Sequence, residues 1–155
     1  MSQKRGLSRQ ETMRTRSKQV VAGVLALSAA DVGLWAALAP RSFYRSFPFP
    51  GHPWVSALGP YNEHLVRDVG CLYLALLLVS GWAALRPRTE TLRLTGAAWL
   101  VFGVPHLLFH LFHLDMYGTA DVIGNVVALG GTVALAALLL LPTGGGPNES
   151  GRLAA

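Results

Sequence analysis

The sequence predicts an all-α integral membrane protein: an up-down four-helix bundle with a long outer loop rich in proline and aromatic residues. Three observations carry this prediction. Of 155 residues, 52% are hydrophobic and only 14% charged, and the mean hydropathy of +0.40 is too high for an ordinary water-soluble domain. The apolar residues gather into blocks at about 19–39, 64–85, 93–114 and 119–141, each near the ~20 residues that carry a helix across a ~30 Å hydrocarbon layer. Alternating strand patterns are absent, and backbone amides in lipid must be paired within their own segment, which leaves helices. The chain therefore divides into a basic tail (1–18), a four-helix membrane domain (19–141) and a polar tail expected to be disordered (142–155).

The tail 1–18 carries Lys4, Arg5, Arg9, Arg14, Arg16 and Lys18. It is poor in large apolar residues and is expected to be loosely ordered. The first span has Ser28, Asp31 and Trp35 on one stripe. An aspartate at mid-bilayer costs about 2.5–3.5 kcal/mol, so Asp31 should face the bundle. Ala37-Leu38-Ala39 loosely resembles a signal cleavage site, but Pro40 follows it directly and Asp31 interrupts the apolar run, so the span reads as retained.

The outer loop, Pro40 to Tyr61, interleaves five prolines with Phe43, Tyr44, Phe47, Phe49 and Trp54. Prolines exclude a long helix there and aromatics favour the headgroup layer, so the loop reads as an interfacial anchor or as a lid over a site. In the second span Asn62 or Tyr61 can open the helix, and Glu63 suits its positive end. His64, Asp68 and Cys71 share a stripe beside Arg67. The third span contains Pro105, which removes one donor and predicts a bend. Thr119 is the expected cap of the fourth span. Asp121 and Asn125 share one of its faces, and Gly124, Ala128, Gly131 and Thr132 offer small surfaces for close helix approach.

Orientation follows from Lys and Arg. The tail, Arg86, Arg88 and Arg93 outweigh Arg41 and Arg45 in the first loop, and the loop 115–119 has neither residue type. Both termini are then cytoplasmic, in a bacterial plasma membrane. The net charge of +5 reflects this topology, with anionic lipid rather than nucleic acid as the partner.

The chemistry concentrates on one stretch. His106, His110 and His113, at i, i+4 and i+7, fall within roughly 60° of one another on a helix. Antiparallel spans place His64 level with His113, Asp68 with His110, and Cys71 with His106; Asp31 reaches the same depth. The ionisable groups within the spans thus gather in one leaflet, which predicts an outward-opening polar cavity.

Several chemistries suit such a cavity. A transition metal can be held by His106/His110 or His110/His113 with Asp68, Asp31 or Asp121. These spacings also resemble those of membrane di-iron oxidases, which use more histidines than the 5 present here. Haem between axial His64 and His113 is a further option. Without a metal, His64, Asp68 and His110 are candidates for acid–base catalysis on a small apolar ligand entering from lipid, as in an isomerase or cyclase. The non-catalytic alternative is a structural or accessory subunit in which Arg67, Asp121, Asn125 and the His/Asp groups only set helix register. Transport would require a homo-oligomer, because polar groups in one leaflet give no continuous path.

Ala39-Pro-Arg-Ser-Phe-Tyr44, Glu63-His-Leu-Val-Arg-Asp-Val-Gly70 and Pro105-His-Leu-Leu-Phe-His-Leu-Phe-His-Leu114 give residues 19–141 a resemblance to small bacterial four-pass membrane proteins of the DoxX-like group. That resemblance implies four inner-membrane helices, and in some members a link to redox or thiol-stress systems. Cys71 is the single cysteine, so a thiol–disulfide activity does not carry over, and no catalytic residue is transferred.

Overall fold

The structure is a computed structural model that describes residues 2–142, with side chains from Thr15 onward. The polar tail expected beyond Pro142 lies outside the described residues. Four long helices, α1 (Ser2–Leu38), α3 (Glu63–Leu85), α4 (Thr89–Leu111) and α5 (Thr119–Leu140), form the bundle. Each contains a segment long and apolar enough to cross a membrane. The short helix α2 (Pro40–Ser46) and the two-stranded hairpin β1 (Pro48–Phe49) and β2 (His52–Pro53) lie in the α1–α3 loop.

The boundaries correct the sequence expectations in two places. α1 begins at Ser2, so the basic segment expected to be loosely ordered is the first part of that helix. Its Gln, Lys, Arg, Glu and Met are good helix formers, and the segment holds no proline. α4 runs from Thr89 to Leu111 rather than from 93 to 114, and continues past Pro105. It stops where the Phe112 N–H is shared among the carbonyls of Leu108, Phe109 and His110, a tightening of the last turn.

At α3, Asn62 caps as expected, its Oδ1 accepting from the Leu65 N–H at 3.2 Å. At α5 the cap is Gly118 with no side-chain bond, not Thr119.

The helices pack as two close pairs. A Cβ on Gly70 would lie 2.5 Å from the backbone nitrogen of Ala37, and one on Gly96 would lie 2.7 Å from the carbonyl oxygen of Ala136. α1 meets α3 through the first contact and α4 meets α5 through the second, at a spacing that only glycine permits. The small-residue surface expected on α5 is not the one used: Gly131 has open space around it, and Gly124 faces a loop tryptophan.

The pairs are joined across the middle of the bundle. The Trp99 Nε1–H donates to Ser80 Oγ at 2.7 Å, and the Thr95 hydroxyl reaches the carbonyl oxygens of Thr91 at 2.8 Å and Val79 at 3.2 Å. At the end carrying the termini, the Lys18 ammonium donates to the carbonyl oxygens of Leu139 and Leu141. A cation there complements the negative end of α5. The outward faces are apolar as well, with Leu27, Leu78, Val101 and Val127 all well exposed.

Candidate functional site

At the loop end the helices part around a cavity of about 580 Å³, within the usual range of small-molecule pockets. Tyr73 and Trp99 form its floor and contact each other edge-to-face at 5.9 Å. Asp31 and Ser28 line it from α1. The loop roofs it with Phe43, Phe47, Trp54 and Leu58, so the prolines and aromatics of this segment form a cover over the site.

Three polar residues face the interior from α4 and α5. His106 stacks on Phe102 at 5.0 Å and meets His110 edge-on at 4.7 Å. His110 is buried, and its Nδ1 lies 3.5 Å from the Tyr117 hydroxyl oxygen. Asn125 is 1% exposed, and among the described residues neither its Oδ1 nor its Nδ2 has a hydrogen-bond partner. A buried amide in this state carries its full desolvation cost.

A second set of groups closes the roof, and these are satisfied by one another. The hairpin turns at Gly51, whose φ of +93° suits glycine, and this sets His52 opposite Phe49. His52 Nδ1 lies 2.6 Å from Asp121 Oδ1, and the Trp54 Nε1–H donates to the same oxygen at 2.9 Å. The Trp54 ring rests on bare α5 backbone: a Cβ on Gly124 would come within 2.9 Å of it. The Tyr117 hydroxyl then donates to the Trp54 carbonyl oxygen at 2.8 Å.

Burial, reinforced by the Asp121 carboxylate, pushes the Tyr117 phenol up to about 12. An unfolded phenol ionises near 10, so between these values the folded chain holds the extra proton. The contribution is present below the lower value and is lost as pH rises through the higher. Tyr117→Phe is expected to cost about 1 kcal/mol near neutral pH and to flatten the alkaline fall in stability. Thermal melts of both proteins as a function of pH check this; parallel alkaline slopes would contradict it.

The predicted site residues separate into three groups. His106, His110, Asp31 and Asn125 line the cavity, and Asp121 anchors its roof. His64 and Asp68 do not join them: they pair with each other at 3.1 Å with side chains 83% and 60% exposed, and Cys71 beside them is exposed. The reason is helical phase. The inward stripe of α3 is Val66, Gly70 and Tyr73, offset by two residues, or about 200°, from His64, Asp68 and Cys71. Arg67 is likewise outside the cavity, donating to Glu63 at 3.0 Å and to the Ala37 carbonyl oxygen.

His113 lies beyond the end of α4, so it leaves the face of the other two histidines. It stacks on Phe109 at 4.2 Å, with Nδ1 2.7 Å from the Phe109 carbonyl oxygen.

Among the described residues no three His, Cys, Asp or Glu side chains converge as a metal-ion site would require. Neither member of the His64/His113 axial pair lines the cavity. His52, Trp54 and Tyr117 were not among the residues singled out from sequence. Their common signal is aromatic or imidazole character in the two loops on one side of the spans. Searches of known protein families, of characterised proteins and of solved structures returned no match to this chain.

Proposed function

We infer that the chain is a four-pass bacterial plasma-membrane protein whose roofed cavity holds a small, mostly apolar ligand with a polar end. Four apolar helices with apolar outward faces support insertion, because such exposed surface is at home against acyl chains rather than water. The basic residues at the end carrying the termini, Lys18, Arg86, Arg88 and Arg93, support cytoplasmic termini and a cavity on the far side. Reporter fusions to the C-terminus read this orientation directly. The resemblance to DoxX-like proteins enters the proposal for its four-pass architecture alone.

The single observation behind ligand binding is Asn125. A network that only set helix register would satisfy its own members, as the Asp121 cluster does; Asn125 instead brings two unmatched polar atoms to the wall of an apolar hollow. A ligand fits this better than a metal, since the acidic groups the metal reading requires are turned outward or engaged with the roof.

The test uses 4-hexylanisole as an apolar probe with the full chain in lipid nanodiscs, partitioning being measured on protein-free discs. Saturable quenching of tryptophan fluorescence is expected for the wild type. Leu129→Trp, which fills the cavity from its α5 wall, should abolish saturation. A wild type indistinguishable from empty discs would leave a structural subunit as the reading.

A further inference from the structure

The hydrogen-bonding state of the cavity wall specifies more than an apolar occupant, and the following rests on the ligand reading above. Tyr117 has one hydroxyl hydrogen, and it is engaged by the Trp54 carbonyl oxygen at 2.8 Å. Toward His110 the Tyr117 oxygen can therefore only accept. The nitrogen facing it at 3.5 Å, Nδ1, carries the hydrogen in this assignment. A neutral imidazole protonated at Nδ1 has a bare lone pair at Nε2. Among the described residues Nε2 has no protein hydrogen-bond partner, although His110 is only 8% exposed.

The wall thus presents an acceptor at His110, and at Asn125 a second acceptor together with a free amide donor. The groups that could have supplied hydrogens to them are committed elsewhere: Trp54 Nε1–H to Asp121, Trp99 Nε1–H to Ser80, and the Thr132 hydroxyl to the Ala128 carbonyl oxygen at 2.8 Å. The cavity lacks hydrogen-bond donors more than acceptors. An ether or ketone brings only acceptors and leaves Nε2 unmatched, whereas a hydroxyl brings one hydrogen and still accepts from the Asn125 amide.

We propose that the cavity selects amphiphiles bearing a free hydroxyl, such as phenols and alcohols with an apolar tail, the hydroxyl hydrogen being donated to Nε2 of His110. The tail occupies the apolar volume between Val69, Phe109 and Leu129. Selection arises because an occupant without the hydrogen leaves a desolvated acceptor unpaired, and a site built for a hydroxyl discriminates sharply on that basis.

The experiment compares 4-hexylphenol with 4-hexylanisole, which differ by replacement of the hydroxyl hydrogen with methyl. Both are titrated against the wild-type chain in nanodiscs with partitioning corrected. The phenol is expected to bind about tenfold more tightly. In His110→Phe the two should converge to within about twofold, while the apolar probe still binds.

Equal affinities in the wild type would overturn the hydroxyl assignment and leave the apolar cavity standing. A phenol preference that persists in folded His110→Phe would overturn it too, by placing the hydroxyl elsewhere. Binding of neither compound would remove this proposal together with the ligand reading beneath it. The wild-type comparison needs no variant, so a His110→Phe chain that fails to fold does not shield the proposal.

Discussion

Gly70→Ala is expected to destabilise the protein by about 3 kcal/mol or more, the upper end of overpacking penalties, whereas Gly81→Ala in the same helix should stabilise it by about 0.5–1 kcal/mol. Both changes add one methyl group to the interior of α3 and remove the same backbone freedom from the unfolded chain. They differ in what the methyl meets. At Gly81 it meets nothing within 4 Å; at Gly70 it lies 2.5 Å from the Ala37 nitrogen and 2.9 Å from its Cα. Those atoms are backbone and cannot rotate away as a side-chain end would, so α1 and α3 must separate along their whole contact. The opposite signs are the result to look for in thermal melts of the detergent-solubilised chain. Two stabilised variants would mean that the helices are not held at this crossing.

Asn125→Leu is expected to raise stability and weaken ligand binding at the same time. Leucine is close to asparagine in size and brings no polar atom, so the variant relieves two buried groups that lack partners. Unmatched groups of this kind cost about 1–3 kcal/mol each; allowing for imperfect packing of the branched side chain, a net gain of about 1–3 kcal/mol is expected. Binding of 4-hexylphenol should fall, because the amide that meets the hydroxyl oxygen is gone. Stability gained at the expense of binding is the pattern of a residue kept for function. A fall in melting temperature would instead show that Asn125 supports the packing of α5.

The bundle was legible because hydropathy and length are properties of a segment rather than of a contact: the blocks of about 20 apolar residues became the helices. Facing direction was harder. On α3 the polar stripe His64, Asp68 and Cys71 attracts notice, yet the contact face is Val66, Gly70 and Tyr73, a small–large set that packs against α1. Gly70 was the available signal, since a mid-span glycine marks where a second backbone comes near.

His113 was misplaced for a related reason. A helix that begins one turn earlier, at Thr89, also ends earlier and releases the residue at its far end. His106, His110, Asp31 and Asn125 were found because they lie well inside their spans, where a one-turn error does not change their depth. His52, Trp54 and Tyr117 were not, because loops carry no periodicity from which to infer a partner; only the folded hairpin brings His52 to Asp121.

The Lys18 clasp on the last carbonyls of α5 determines where this molecule can move. With the first and last long helices fastened at the end carrying the termini, and the aromatic floor pinned by Trp99 and Ser80, breathing is confined to the opposite end. The bundle then works like a clothes-peg with its spring near the cytoplasmic face. Small flexing there becomes a wide gape at the jaws, and a guest enters and leaves through one door while the far side of the bilayer stays sealed.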